Sequence, residues 1–145
     1  VPGDRFVQVG LRGYWPPADT FAGMQEQDMV WHTMQEIWER GFQAVMADAV
    51  AEALARADRL YISLDIDCLD PAFAPGTGTP EPGGIATVDL LRMVRQLALE
   101  HDVVGRDVVE VAPASDVSDL TVNAAPRMVF EALGGMAERR RRAAG

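Results

Sequence analysis

The sequence predicts an α/β protein in which a parallel sheet carries helices on both faces. Two observations point there. Short apolar runs bounded by turn residues alternate along the chain with longer stretches whose apolar positions recur at helical spacing. The runs also end on acidic residues, as expected where sheet chemistry collects beyond the carboxyl ends of parallel strands.

Residues 5–10 read as the first strand, with Val7 and Val9 between polar neighbours and Gly10 and Gly13 closing the run. The stretch YWPPADTFAGMQEQD that follows holds two prolines and a glycine and reads as a long loop. A helix is predicted from Thr33, which with Glu36 three residues later forms a capping box, and Met34, Ile37 and Trp38 share its apolar face. Gly41 ends it, and a second helix carries Val45, Ala49, Ala53 and Leu54. Residues 60–64 (LYISL) form a strand that delivers Asp65, followed by a Pro- and Gly-rich loop from Asp70 to Gly84. Thr87 is expected to cap a helix with the stripe Leu90, Leu91, Val94, Leu97 and Ala98. Residues 103–111 (VVGRDVVEV) form the last strand, and a final helix runs from about Leu120 into the arginines 139–142.

The 145 residues suit one domain, with 48% hydrophobic and 24% charged side chains. The net charge of -9 argues against nucleic acid and against an anionic membrane surface as partner. Cys68 is the only cysteine, so no intrachain disulfide can form, and the expected compartment is the cytoplasm. No apolar run approaches the ~20 residues of a membrane span. The chain opens at Val1 and runs at once into a strand, so it is expected to be part of a longer protein.

SLDIDCLDP is the most informative stretch. On an extended strand Asp65 and Asp67 project to the same side. Two carboxylates so close repel, and either a proton or a cation must relieve them. Spacing leaves two readings open, a site for a hard divalent ion such as Mg²⁺, Ca²⁺ or Mn²⁺, or a pair of carboxylates capping loop amides. An EF-hand loop is excluded, because Asp70 stands at the sixth place, where glycine is needed, and Gly76 at the twelfth, where Glu is needed. A phosphate loop is excluded by Pro75, Pro80 and Pro82 and by the lack of a Gly-Lys-Ser/Thr sequence.

The string DIDCLDPAFAPGTGTPEPGG closely resembles the signature of the ureohydrolase family, which includes arginase, agmatinase and guanidinobutyrase. VQVGLRG and DVVEVAP resemble two further strands of that family, and the similarity runs from about Phe6 to Leu133. GTGTPEPGG is closer to agmatinase and its relatives than to arginase. The resemblance implies an arginase-like three-layer α/β/α fold, of which the chain would be the carboxyl-terminal part, residues 1–145 of a single domain whose amino-terminal half is absent. It implies a hydrolase that releases urea from a linear guanidino compound, an agmatine-like amine or a guanidino acid, with a place in polyamine metabolism. The family's cofactor is a pair of Mn²⁺ ions whose bridging hydroxide attacks the guanidinium carbon. In that scheme Asp65 matches the carboxylate that bridges both ions, Asp67 matches a ligand of the second ion, and Glu110 matches the carboxylate that holds the substrate guanidinium. The complete protein would be a homo-oligomer, a trimer or hexamer.

The departures matter as much. Motifs of the GGDHS and DAHxD kind, which supply the family's other ligands, do not occur here, nor does its proton-shuttling histidine. Ser115-Asp116-Val117 stands where the family often reads Tyr-Asp-His. The alternative reading is therefore an inactive fragment or truncated product of the same family. His32, beside a helix cap, and His101, at a helix end, are expected to be surface histidines. Cys68 is expected to point into the core, Asp70 to fix the turn at Pro71, and Ser63 to face away or support a neighbouring strand. Met24, Met29 and Met34 are expected to fill core and loop. Trp15, in the long loop, is a candidate for lining the substrate entrance, with packing of the loop as the alternative.

Overall fold

The structure is a computed structural model that describes residues 1–14 and 16–145. It divides into two compact units, Val1–Asp58 and Arg59–Gly145.

The first unit runs from a short 3-10 turn at Gly3–Arg5 through β1 (Val7–Leu11), α1 (Ala18–Glu26), β2 (Val30–Thr33), α2 (Met34–Arg40) and α3 (Phe42–Leu54). β1 and β2 pair in parallel, Val7 opposite Val30 and Val9 opposite His32. Two elements differ from the sequence reading. The segment predicted as loop contains α1, with Met24 on its buried side, and β2 falls where the sequence reading placed no strand. At four residues β2 is too short to show alternation. The predicted cap is present, since the Thr33 side chain accepts from the Glu36 amide. Met24, Met34, Ile37, Val45 and Ala49 form this unit's apolar core.

His32 corrects its reading as a surface histidine: it is 6% exposed. Its Nδ1 lies 2.9 Å from Glu36 and its Nε2 2.9 Å from Glu52. Burial alone would depress the imidazole pKa, but hydrogen bonds and charges from Glu52 and Glu36 outweigh it and raise the value. An acceptor at each nitrogen calls for two N–H donors, which only imidazolium has.

The second unit contains β3 (Leu60–Asp65), α4 (Thr87–Glu100), β4 (Val103–Val109) and α5 (Leu120–Ala144). β3 and β4 are parallel, with Ser63 opposite Asp107 and Asp65 opposite Val109. Parallel pairing with intervening helices gives the α/β class expected. Ile62 and Leu64 face Val94 and Ala98 of α4 and Met128 and Ala132 of α5. On the opposite face Tyr61 and Ser63 donate to the two oxygens of Asp107 at 2.8 and 2.7 Å, so Ser63 supports the neighbouring strand. Thr87 is the first residue of α4 and Ala86 its N-cap, which has no side-chain bond. The cap expected at Thr87 is therefore not made.

Candidate metal and substrate site

β3 stops at Asp65 because the next three residues, Ile66–Cys68, coil into a 3-10 turn. Asp65 caps that turn, its Oδ1 accepting from the Asp67 amide at 3.1 Å. Short carboxylate side chains compete for nearby amides in this way. The sequence reading of Asp65 and Asp67 as alternate residues on one strand face is thereby corrected, because Asp67 lies in the turn. Ile66 and Leu69 are 0% and 1% exposed and pin the turn to the core. Cys68 is half-buried rather than a core thiol, for the same reason.

The loop from Asp70 to Gly84 folds back onto this turn. Asp70 accepts from the amides of Ala72, Gly83 and Gly84, a structural role as expected. The Asp70 amide donates to Ile85 O at 3.0 Å and the Ile85 amide to Cys68 O at 2.9 Å. Gly84 sits so close that a Cβ there would lie 2.5 Å from the Asp70 nitrogen. The loop returns a hydroxyl to the acidic turn, with Thr79 Oγ1 donating to Asp67 Oδ2 at 2.7 Å.

Glu110 follows the last residue of β4 with φ at 62°. Among the described residues three other non-glycines share positive φ, Asp28, Ser118 and Asp119, all with short polar side chains suited to it. Glu is not such a residue, and a strained backbone at a strand end marks a functional candidate. Its carboxylate is exposed. The Gly-rich loop runs past it, so that a Cβ on Gly78 would come 3.5 Å from Glu110 Oε2.

The carboxylates act on one another. The Asp65 carboxyl is pushed up to about 6, first by burial and then by the negative charges of Asp67 and Glu110, with the Asp67 amide opposing them in part. A group held so far above the ordinary carboxylate range is one that a cation would relieve. The donors are hard oxygens, so Asp65 and Asp67 fit a divalent ion as part of its ligand set. Among the described residues no group of three or more His, Cys, Asp or Glu is arranged to hold a metal ion. His32 is engaged with its two glutamates and His101 caps the end of α4. Trp15 lies outside the described residues.

Sequence reasoning missed Thr79 and a second cluster, Asp116 with Thr121. The only sequence signal for Thr79 is its place in Gly-Thr-Gly-Thr. The bonds Asp116 makes are local, to residues up to six positions on, but the tie from Thr121 to Gly76 spans 45 positions and leaves no local mark.

The arginase family model matches residues 1–134. Guanidinopropionase of Pseudomonas aeruginosa is 44% identical over 142 residues, which cover 97% of this chain and 43% of that protein. An agmatinase of Chromobacterium violaceum is 39% identical over 127 residues, covering 88% and 36%. Among solved structures, formimidoylglutamase of Bacillus subtilis superposes with a TM-score of 0.87 at 33% identity, covering 92% of this chain and 42% of that one. Arginase of Bacillus caldovelox superposes with a TM-score of 0.85 at 28% identity, covering 92% and 44%. The chain thus spans less than half the length of these relatives. With the family model matching nearly its whole length, this chain belongs to the arginase family.

Proposed function

We propose that this chain supplies the carboxyl-terminal part of the active site of a ureohydrolase that releases urea from a linear guanidino compound, an agmatine-like amine or a guanidino acid. The observation that carries the reading is Glu110, held at positive φ beyond β4 while its charge helps raise the Asp65 carboxyl. Asp65 and Asp67 serve as carboxylate donors to Mn²⁺, two ions per complete site, and Glu110 anchors the planar guanidinium through charge-assisted hydrogen bonds. Bound Mn²⁺ supplies an acidified water and electrophilic pull, which a resonance-stabilised guanidinium needs for hydrolysis.

A second reading concerns the chain by itself. With no third ligand placed beside the two aspartates among the described residues, the isolated 145-residue chain binds Mn²⁺ weakly and turns over no guanidino substrate.

Titration with MnCl₂ tests the metal assignment. Weak binding is expected in the wild type and none in Asp65→Ala; equal binding by both would overturn it. Urea released by the purified chain from agmatine, 4-guanidinobutyrate or arginine, and lost in Asp65→Ala, would overturn the partial site. In the protein completed by an amino-terminal half, Glu110→Gln is expected to lower kcat/KM roughly thirtyfold to thousandfold with metals retained; unchanged kinetics would reject the anchor.

A further inference from the structure

The start of α5 grips the candidate site through a chain of hydrogen bonds. Asp116 does not sit at the N-cap position of that helix, which is Asp119. Its carboxylate nevertheless accepts from the amides of Val117, Thr121 and Val122, at 2.9 Å for each of Oδ1–Val117, Oδ2–Thr121 and Oδ2–Val122. It also accepts the Thr121 hydroxyl proton at 2.8 Å. Thr121 is 0% exposed. With its proton committed to Asp116, its oxygen accepts the Gly76 amide at 2.7 Å.

Gly76 is held on two further sides. Its carbonyl accepts from the Ala112 amide at 2.8 Å, and a Cβ on Gly76 would lie 2.6 Å from the Asp116 Cβ. From this fixed point the chain needs three residues to reach Thr79, which holds Asp67. Ala112 is two residues beyond Glu110. One clasp therefore ties down both the segment that carries Glu110 and the loop that holds Asp67.

We propose that Asp116 is a positioning residue, acting through the Thr121 hydroxyl to fix the Gly76–Thr79 segment and so the placement of Asp67 relative to Glu110. The inference rests on the reading of Asp65 and Asp67 as metal ligands. Partners that orient first ligands act on the metal at one remove, and their loss typically weakens metal binding 10–100-fold.

Thr121→Val, Thr121→Ser and Asp116→Asn test this in the 145-residue chain. Val keeps the shape and removes the hydroxyl, whereas Ser keeps the hydroxyl and removes a methyl. Two quantities are read, amide hydrogen exchange at Gly76 and Ala112 by NMR, and Mn²⁺ affinity from the electron paramagnetic resonance signal of the free ion. In Thr121→Val the two amides are expected to exchange faster and Mn²⁺ affinity to fall about tenfold. Thr121→Ser is expected to restore both, and Asp116→Asn to behave as Val does. The opposite order, with Val intact and Ser impaired, would show a packing role and overturn the proposal. So would faster exchange in Thr121→Val with unchanged Mn²⁺ affinity, or wild-type affinity in Asp116→Asn. If the wild-type chain bound no Mn²⁺, the metal reading would fail and this inference with it, a result distinct from wild-type binding that the variants leave untouched.

Discussion

Gly84→Ala should unfasten the acidic turn from its loop. The missing Cβ position lies 2.5 Å from both the Asp70 nitrogen and the Leu69 carbonyl carbon, and 2.8 Å from the Cys68 oxygen. All three are backbone atoms, so no rotamer change can make room. Ordinary contact begins at 3.4 Å, and the two strands of chain must therefore part by 0.9 Å. That separation breaks or stretches the paired bonds between Asp70 and Ile85 and between Ile85 and Cys68, now at 3.0 and 2.9 Å. Overpacking costs about 1–3 kcal/mol, and each weakened backbone bond adds about 1 kcal/mol at most. A loss of about 3 kcal/mol follows, equivalent to a melting point lower by about 10 °C in a chain of this size. Gly23→Ala is the control. It stands inside α1 with no atom within 4 Å of its added methyl, and should stabilise by about 0.5–1 kcal/mol. Thermal unfolding followed by circular dichroism reads both. A Gly84→Ala midpoint within about 2 °C of wild type would refute the reasoning, since it would mean that the backbone yields without cost.

Two titrations follow from the same structure. The His32 pKa is raised in the fold, so its bonds to Glu36 and Glu52 stabilise fully below the ordinary value of 6.5 and lose their effect as pH rises through the higher folded value. Urea midpoints of wild type and His32→Gln should differ most below the ordinary value of 6.5 and draw together as pH rises through the raised folded value, and a gap that widens with pH would contradict the ion pairing. Asp65 runs the other way from most carboxylates. Raised from 3.8 to about 6, its ionisation destabilises the fold progressively as pH climbs through that interval. Without metal, Asp65→Asn should therefore be more stable than wild type at pH 8, with the advantage fading below pH 4; a variant less stable at pH 8 would deny the repulsion.

The sequence made some of these features plain and hid others for physical reasons. The stripe from Leu90 to Ala98 made α4 legible, a final helix was expected from about Leu120 into the arginines 139–142 where α5 stands, and β3 and β4 declared themselves as apolar runs. α1 was hidden because its composition, with Gly23 and flanking prolines, is that of a loop. Asp65, Asp67 and Glu110 were singled out by their motifs, yet the spacing of the two aspartates implied an extended strand where the Asp65 side chain closes a turn. His32 was misread because the glutamate that helps bury it, Glu52, stands 20 positions away. Contacts of that range leave no local pattern. The same is true of Thr121 with Gly76, at a separation of 45.

The backbone at Glu110 has a bearing on how this sequence is maintained. A left-handed conformation costs a residue with a Cβ about 1 kcal/mol, and glycine or asparagine would relieve it with a single replacement. Glu110 is an exposed residue, so burial gives little reason to keep glutamate there on stability grounds. Mutational drift without selection on the side chain would therefore run toward the residues that this conformation favours. Deep mutational scanning makes the distinction visible: a screen for folding alone should enrich Gly or Asn at position 110, and a screen for guanidino hydrolysis in the completed protein should return Glu.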